Sequence, residues 1–138
     1  MIVEINNRKV GDGQPPLIIA EACINHEGNI AIAEKMVYMA HALGVDCIKF
    51  QIHVLENEML REAPQSDNFE EPLWDTLERT NLSIDEHIRL KKLCDQLGIM
   101  YLCTPFSREG ADLLEDIGVD FYKTGSGEMT NLPLIEHI

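Results

Sequence analysis

Four short apolar runs, separated by stretches with helical periodicity, constrain the fold of this chain more than any other feature. Each run is rich in residues that favour β-structure and is short enough to be a strand buried in a parallel sheet. They are LIIAEACI (17–24), DCIKFQIH (46–53), IMYLCTPF (99–106) and VDFYKTG (119–125). We therefore predict four buried parallel strands.

Three amphipathic stretches between these runs predict helices. They cover Ile30 to Leu43, Ser83 to Leu97 and Arg108 to Ile117. In the first stretch, apolar residues recur at helical spacing, and they are Ile32, Met36, Met39, Ala40 and Leu43. The order β-α-β-α-β-α-β predicts an α/β fold with a parallel sheet and right-handed crossovers.

Local signals mark the ends of these helices. Ser83-Ile84-Asp85-Glu86 has the pattern of a capping box, and a glycine follows each predicted helix, at Gly44, Gly98 and Gly118. A fourth helix is predicted to start near the C-terminus, with Thr130 or Asn131 as its cap.

Two segments fall outside the alternation. Residues 54–82 contain Pro64, Pro72 and several acidic residues, and they are too numerous for a simple turn. Such long loops usually carry function on an α/β frame, although a plain surface insertion is the alternative. The opening EINNRKVGDG predicts a small hairpin that turns at Asn6-Asn7, so residues 1–13 are expected to be an appendage outside the sheet.

Composition narrows the functional classes. A chain of 138 residues can bury one core and is too short for two ordinary domains, and its net charge of −13 argues against a nucleic-acid partner. No apolar run is long enough to span a membrane and the N-terminus lacks the pattern of a signal peptide, so we expect a cytoplasmic protein. The four cysteines show no Cys-x-x-Cys spacing and are predicted to be reduced core thiols.

Polar residues interrupt the apolar runs toward their carboxyl ends, where parallel α/β folds bind ligands. They are Glu21, Asn25, Lys49, Gln51, His53, Thr104, Lys123, Ser126 and Glu128. One lysine in a buried strand could simply reach the surface, but two lysines and two glutamates at equivalent ends indicate a site, because unpaired buried charges are expensive.

The stretch YKTGSGE (122–128) has the composition of a phosphate cradle. Gly125 and Gly127 would expose backbone N–H groups, Ser126 a hydroxyl and Lys123 a charge, while Glu128 could transfer a proton. An ordinary glycine turn between a strand and a helix is the alternative interpretation.

The runs IIAEACINHEGN, IKFQIHVLENEM, LCTPFS and YKTGSGEMTNLPLI resemble the N-terminal part of the sialic acid synthase family, collinearly from about Leu17 to the last residue. These enzymes condense phosphoenolpyruvate with an N-acetylhexosamine. The resemblance implies a (β/α)8 TIM-barrel of which residues 1–138 supply only the first four β/α units. It also implies a divalent metal, manganese or magnesium, whose ligands lie outside this chain, and a homodimer in the complete enzyme, with an antifreeze-like C-terminal domain that is absent here.

The resemblance also implies roles for individual residues. Lys49, Lys123, Ser126 and Thr104 would contact phosphoenolpyruvate, Asn68 would close over it, and Gln51 would bind substrate. Glu21 and Glu128 would be the acidic residues at the reacting centre, with their division of labour open. His26 is expected to make a turn hydrogen bond, His53 a contact or loop packing, and His41 and His87 are expected on solvated helix faces.

HVLENEM and the surroundings of Asn68 resemble the N-acetylneuraminate branch of the family more than the legionaminate or pseudaminate branches, which implies N-acetylmannosamine as the sugar. Two alternatives stay open. One is another phosphoenolpyruvate-dependent keto-sugar-acid synthase, and the other is a non-catalytic piece of such an enzyme.

Overall fold

The computed structural model describes residues 1–62 and 70–138, and in this part the chain forms an α/β structure. Its strands and helices, in chain order, are β1 (Ile2–Ile5), β2 (Arg8–Gly11), β3 (Ile19–Cys23), α1 (Ile30–Ala42), β4 (Cys47–Ile52), α2 (Leu73–Thr80), α3 (Ile84–Leu97), β5 (Met100–Pro105), α4 (Arg108–Ile117) and α5 (Leu132–His137). Short 3₁₀ turns lie at Leu55–Asn57 and Gly127–Thr130. No helix in the described ranges is long and apolar enough to cross a membrane.

The main sheet is parallel and has the order β3-β4-β5, as the alternation of strands and helices predicts. In its register Glu21 is the partner of Lys49, and Gln51 is the partner of Thr104. The polar residues of three strands therefore lie side by side toward the carboxyl ends of these strands.

The core lies between one face of this sheet and helices α1, α3 and α4. Ile48, Phe50 and Ile52 point to this core together with Leu90 and Leu114. Since successive side chains of a strand point to opposite faces, Lys49 and Gln51 project from the other face of the sheet.

The helix-end signals are confirmed. The Ser83 hydroxyl accepts from the Glu86 N–H and the Glu86 carboxylate accepts from the Ser83 N–H at 2.7 Å, which completes the capping box of α3. Gly98 and Gly118 end α3 and α4 in the left-handed conformation. Asn131, rather than Thr130, caps α5 through its side chain.

The buried face of α1 differs from the predicted one. Ala33, Val37 and Ala40 are buried, whereas the larger Met39 and Leu43 are mostly exposed. Of the predicted positions, Ala40 is in the core and Met36 is partly buried against it.

The fourth apolar run differs most from expectation, because it does not form a full strand. Tyr122 makes an isolated parallel bridge to Cys103, and the Lys123 N–H donates to the Cys103 carbonyl at 3.4 Å. Within the part of the chain that is described, the run has a strand neighbour on one side only, and its pairing ends after this bridge. The sheet therefore contains three strands and one bridge instead of four strands.

The hairpin prediction is confirmed. β1 and β2 pair antiparallel as a separate two-stranded sheet, with positive φ angles of 46° at Asn6 and 63° at Asn7 in the turn. Positive φ at both turn residues matches the right-handed twist of a two-residue hairpin. The Arg8 guanidinium joins this hairpin to the main body by an ion pair with Asp46.

The connection between β4 and α3 contains a helix that the sequence analysis did not predict. Trp74 and Leu77 of α2 pack against Leu55 in a second, smaller hydrophobic cluster. This cluster fixes α2 beside the carboxyl end of β4.

Candidate functional site

An ion pair joins the ends of β3 and β4. Lys49 Nζ lies 2.6 Å from Glu21 Oε2, and the Lys49 side chain is 5% exposed. The hydrogen bond from Lys49 lowers the pKa of Glu21, the charge of Lys123 acts in the same direction, and partial burial opposes them. Glu21 is therefore a carboxylate at neutral pH, close to two lysine charges.

Cys23 extends this group. Its Sγ lies 3.3 Å from Glu21 Oε2 and donates to it, and burial is the main cause that raises the pKa of the thiol. The other cysteines, Cys47, Cys94 and Cys103, are free and buried, and burial raises the pKa of each to about 12. The prediction of reduced core thiols is confirmed for these three.

Thr104 occupies the equivalent end of β5. It is 1% exposed, and its hydroxyl has no hydrogen-bond partner within residues 1–62 and 70–138. A buried hydroxyl without a partner carries a desolvation penalty of about 1 to 3 kcal/mol. Thr104 therefore has a free hydrogen-bonding group next to its strand partner Gln51.

The Gly-Ser-Gly turn is built differently from a simple cradle. A Cβ on Gly125 would lie 3.1 Å from Cε1 of Phe106, a tight contact to which the Phe106 ring would have to adjust. A Cβ on Gly127 would meet nothing within 4 Å. Ser126 is exposed between them, and Lys123 is half-buried just before the turn.

Glu128 lies in the 3₁₀ turn that follows. Its Oε2 accepts from Asn131 Nδ2 at 2.7 Å, and Asn131 in turn caps α5. Glu128 is half-buried and also lines a cavity. Its carboxylate therefore supports a helix cap indirectly and still faces open space.

This cavity has a volume of about 820 Å³. Its wall includes Gln51, His53, Glu58, Arg79, Phe106 and Glu128. Arg79 of α2 is paired with Glu27 at 2.6 Å and with Glu71 at 2.7 Å, which ties α2 to the loop after β3. Lys49, Thr104, Lys123 and Ser126 are not part of the wall, but Cys23 is, and it contacts Glu21. Asn68 lies outside the described residues.

The structure confirms the predictions for His26 and His41 and contradicts the one for His87. His26 accepts from the Gly28 N–H at 3.2 Å, which confirms its turn role, and burial lowers its pKa. His41 is exposed, as predicted. The prediction for His87 is wrong: it is fully buried and lies 2.7 Å from the Tyr101 hydroxyl, and burial lowers its pKa to about 4. His87 lies on the face of α3 that packs against β5.

Sequence reasoning missed Glu58 and Phe106. Both contact His53, but they are distant from one another in sequence, and neither belongs to a spacing pattern that marks a site. In residues 1–62 and 70–138, no group of three or more His, Cys, Asp or Glu side chains could hold a metal ion.

Comparison with known proteins shows what this chain is similar to. A model of the NeuB family matches residues 36–138. The chain is 35% identical to the N,N'-diacetyllegionaminic acid synthase of Legionella pneumophila, over 96% of this chain and 40% of the relative. It is 31% identical to human N-acetylneuraminate-9-phosphate synthase, over 94% of this chain and 37% of the relative.

A solved structure is similar over nearly the whole of this chain. The crystal structure of N-acetylneuraminic acid synthetase from Leptospira borgpetersenii in complex with citrate superposes with a TM-score of 0.82 at 27% identity, and the match covers 99% of this chain and 45% of that one. The chain thus spans less than half the length of these relatives.

Proposed function

This chain belongs to the NeuB family of sialic acid synthases, and on this premise we propose that it forms part of an enzyme that condenses phosphoenolpyruvate with an N-acetylated amino sugar. The products would be a nonulosonic acid and inorganic phosphate. The observation that carries the proposal is the group of Glu21, Lys49 and Lys123 at the strand ends, because a net positive group in a chain of charge −13 suits a phosphorylated anion.

In the proposed reaction, C3 of phosphoenolpyruvate attacks the aldehyde carbon of the open-chain sugar and forms the new carbon–carbon bond, while the C=O π bond opens and the aldehyde oxygen takes up a proton to become a hydroxyl. Water then adds to C2, which carries developing positive charge, and the C–O bond to phosphate breaks. A carboxylate close to this carbon stabilises the positive charge and accepts the proton of the attacking water. Glu128 and Glu21 are the carboxylates that we propose for these roles.

The binding residues are proposed from their place at the strand ends and from the family resemblance. We propose that Lys49 and Lys123 neutralise the phosphate and carboxylate of phosphoenolpyruvate and that Ser126 donates its hydroxyl. Thr104 would gain the hydrogen-bond partner that it lacks among the described residues. Gln51 would contact substrate from the cavity wall, and Asn68 is proposed to close over the ligand, as the resemblance implies.

The identity of the amino-sugar substrate is proposed separately from the reaction. The relatives named above make different nonulosonic acids, and their identities of 35% and 31% do not separate them. We propose N-acetylmannosamine on the basis of the HVLENEM segment. We propose that a manganese or magnesium ion takes part and that its ligands lie outside residues 1–138, as the family resemblance implies. A cytoplasmic homodimer is proposed for the complete enzyme.

A lysine replacement tests this function. In a synthase of full family length that carries this segment, Lys123→Ala should cost on the order of 2 to 4 kcal/mol of transition-state stabilisation, or roughly 30- to 1000-fold in kcat/KM for phosphoenolpyruvate. Lys49→Ala should behave similarly, while Lys92→Ala, on the exposed face of α3, is the matched control.

Phosphate release should be measured with N-acetylmannosamine and with other N-acetylated sugars. Wild-type kinetics in both lysine variants would show that the phosphate site lies elsewhere. Condensation of phosphoenolpyruvate only with sugars that lack an N-acetyl group would favour the alternative of another keto-sugar-acid synthase.

A further inference from the structure

The cavity of about 820 Å³ has one continuous apolar side. Ile24, Met59 and Leu73 lie in its wall, and all three also pack against the smaller hydrophobic cluster. They come from the loop after β3, from the segment after the 3₁₀ turn at Leu55–Asn57, and from the first turn of α2. Because they pack against one cluster, they lie together on one side of the cavity.

This apolar side is backed by core packing and still has free surface. Trp74 and Leu77 of the cluster are 7% and 6% exposed, and Leu77 also reaches the wall. Ile24, Met59 and Leu73 are only half-buried, so part of each side chain remains open to the cavity. Ligand cavities in proteins typically combine such an apolar surface with a few polar groups.

The charge of the wall does not suit a phosphorylated anion. Among the described residues, the wall contains five glutamates and one arginine. The arginine, Arg79, is already paired with Glu27 and Glu71. A ligand with several hydroxyl groups fits this wall better, because carboxylate oxygens accept hydrogen bonds from hydroxyls and repel an anion.

We propose that this cavity binds the amino sugar and that Ile24, Met59 and Leu73 form the subsite for the methyl group of its N-acyl substituent. An N-acyl amino sugar has hydroxyl groups for the glutamates and one short apolar group for the apolar side. That the bound sugar is a substrate for condensation rests on the function proposed above, whereas the presence of the subsite does not.

The place of the subsite agrees with the chemistry of a 2-acylamino sugar. The carbon that bears the acyl group is bonded to the aldehyde carbon, so the acyl group must bind beside the reacting centre. Ile24 directly follows Cys23 in the chain, and Cys23 Sγ lies 3.3 Å from Glu21 Oε2. The apolar side therefore begins next to a carboxylate that we propose for the reaction.

The first test needs no activity. In a synthase of full family length labelled with ¹³C-methyl methionine, N-acetylmannosamine should shift the Met59 signal saturably, and a Met59→Leu variant assigns this signal. Mannose, which lacks the acyl group, should shift it much less at the same concentration. Met39, which is 61% exposed on α1 and outside the wall, is the internal control. A Met59 signal that N-acetylmannosamine leaves in place would overturn the proposal.

The second test changes the size of the subsite. In Leu73→Ala, the ratio of kcat/KM for N-propanoylmannosamine to that for N-acetylmannosamine should rise roughly tenfold, because the apolar pocket can then hold one more methylene group. Met59→Ala should change the ratio in the same direction. Leu60→Ala removes the same atoms as Leu73→Ala from a side chain that is 78% exposed and outside the wall, so its ratio should stay unchanged.

Both substrates are measured on the same preparation, so a loss of folded protein cancels from the ratio. An unchanged ratio in both cavity variants of an active enzyme would overturn the acyl subsite and leave the proposed condensation standing. A saturable Met59 shift in an enzyme that releases no phosphate with any N-acetylated sugar would refute the proposed function and support the subsite.

Discussion

Glu128 has two environments. It lines the cavity, and its carboxylate also accepts a hydrogen bond from the capping residue Asn131. Glu128→Gln keeps an acceptor for Asn131 but removes the charge and the basicity. We therefore expect turnover to fall roughly 10²-fold or more, with nearly unchanged affinity for phosphoenolpyruvate and a loss of stability below about 1 kcal/mol.

Turnover and melting temperature should be measured on the same Glu128→Gln protein of full family length. Glu136→Gln, an exposed change on α5, is the control. Normal turnover together with a lower melting temperature would reduce Glu128 to a support for the helix cap.

His87 should make the stability of the fold dependent on pH. Burial lowers its pKa from 6.5 to about 4, so between these values the unfolded chain binds a proton that the folded chain does not. This contribution is present above about pH 6.5 and is lost as the pH falls toward 4, with a size on the order of 3 kcal/mol.

Urea unfolding at a series of pH values can isolate this effect. His87→Gln should flatten the pH dependence between pH 6.5 and 4 relative to wild type, whereas His41→Gln, at an exposed position, should not. Identical pH profiles for His87→Gln and wild type would contradict the assignment.

At the scale of elements, the loop between β3 and α1 depends on one glycine. Gly28 has a φ of +71°, and a Cβ there would lie 2.5 Å from the Arg79 carbonyl oxygen at the end of α2. Gly28→Ala should therefore destabilise the fold by roughly 2 to 4 kcal/mol, because it adds a backbone clash to the left-handed conformation.

Gly44→Ala provides a matched control for this change. Its φ of +70° is nearly the same, but a Cβ there meets nothing within 4 Å, so the cost should be only about 1 kcal/mol. Free energies of unfolding from urea titration measure the difference. Equal decreases in the free energy of unfolding of the two variants would show that the close approach of α2 to this loop does not affect stability.

The sequence predicts those helices and strands that are specified by residues close to them in sequence. The capping box at Ser83 and the glycine after α4 act within a few residues, so α3 and α4 were predicted with bounds close to the observed ones. The helix α2 was missed because Trp74 is buried against Leu55, which is distant from it in sequence. Strand pairing at Tyr122 likewise depends on neighbours that local sequence does not describe.

In the candidate site, too, local features could be predicted and tertiary contacts could not. Periodicity placed Lys49 and Gln51 toward a strand end, and the parallel register then brings Glu21 and Thr104 beside them. The pairing of Glu58 with His53 could not be predicted, because it depends on how the 3₁₀ turn after β4 folds back. Polar residue type at strand ends is visible in sequence, whereas the direction of each hydrogen bond is a tertiary property.

At the scale of the whole molecule, the sheet is open at the β3 side of the described structure. Exposed apolar residues lie near that side, and they are Ile18, Ile19, Met39 and Leu43. Open edges and exposed apolar surface favour association with another chain or segment. A barrel of eight strands, which the family resemblance implies, would cover such a surface, but three strands and one bridge cannot close.

A polypeptide of residues 1–138 by itself should therefore have no synthase activity and should self-associate. Its sheet cannot enclose a site, and its described residues contain no cluster that could hold a metal ion. Light scattering over a concentration series and phosphate release in the presence of manganese test the two parts, with a synthase of full family length as the positive control. Metal-dependent turnover by a monomeric polypeptide of this length would refute the prediction, because it would show that half a barrel is sufficient for the reaction.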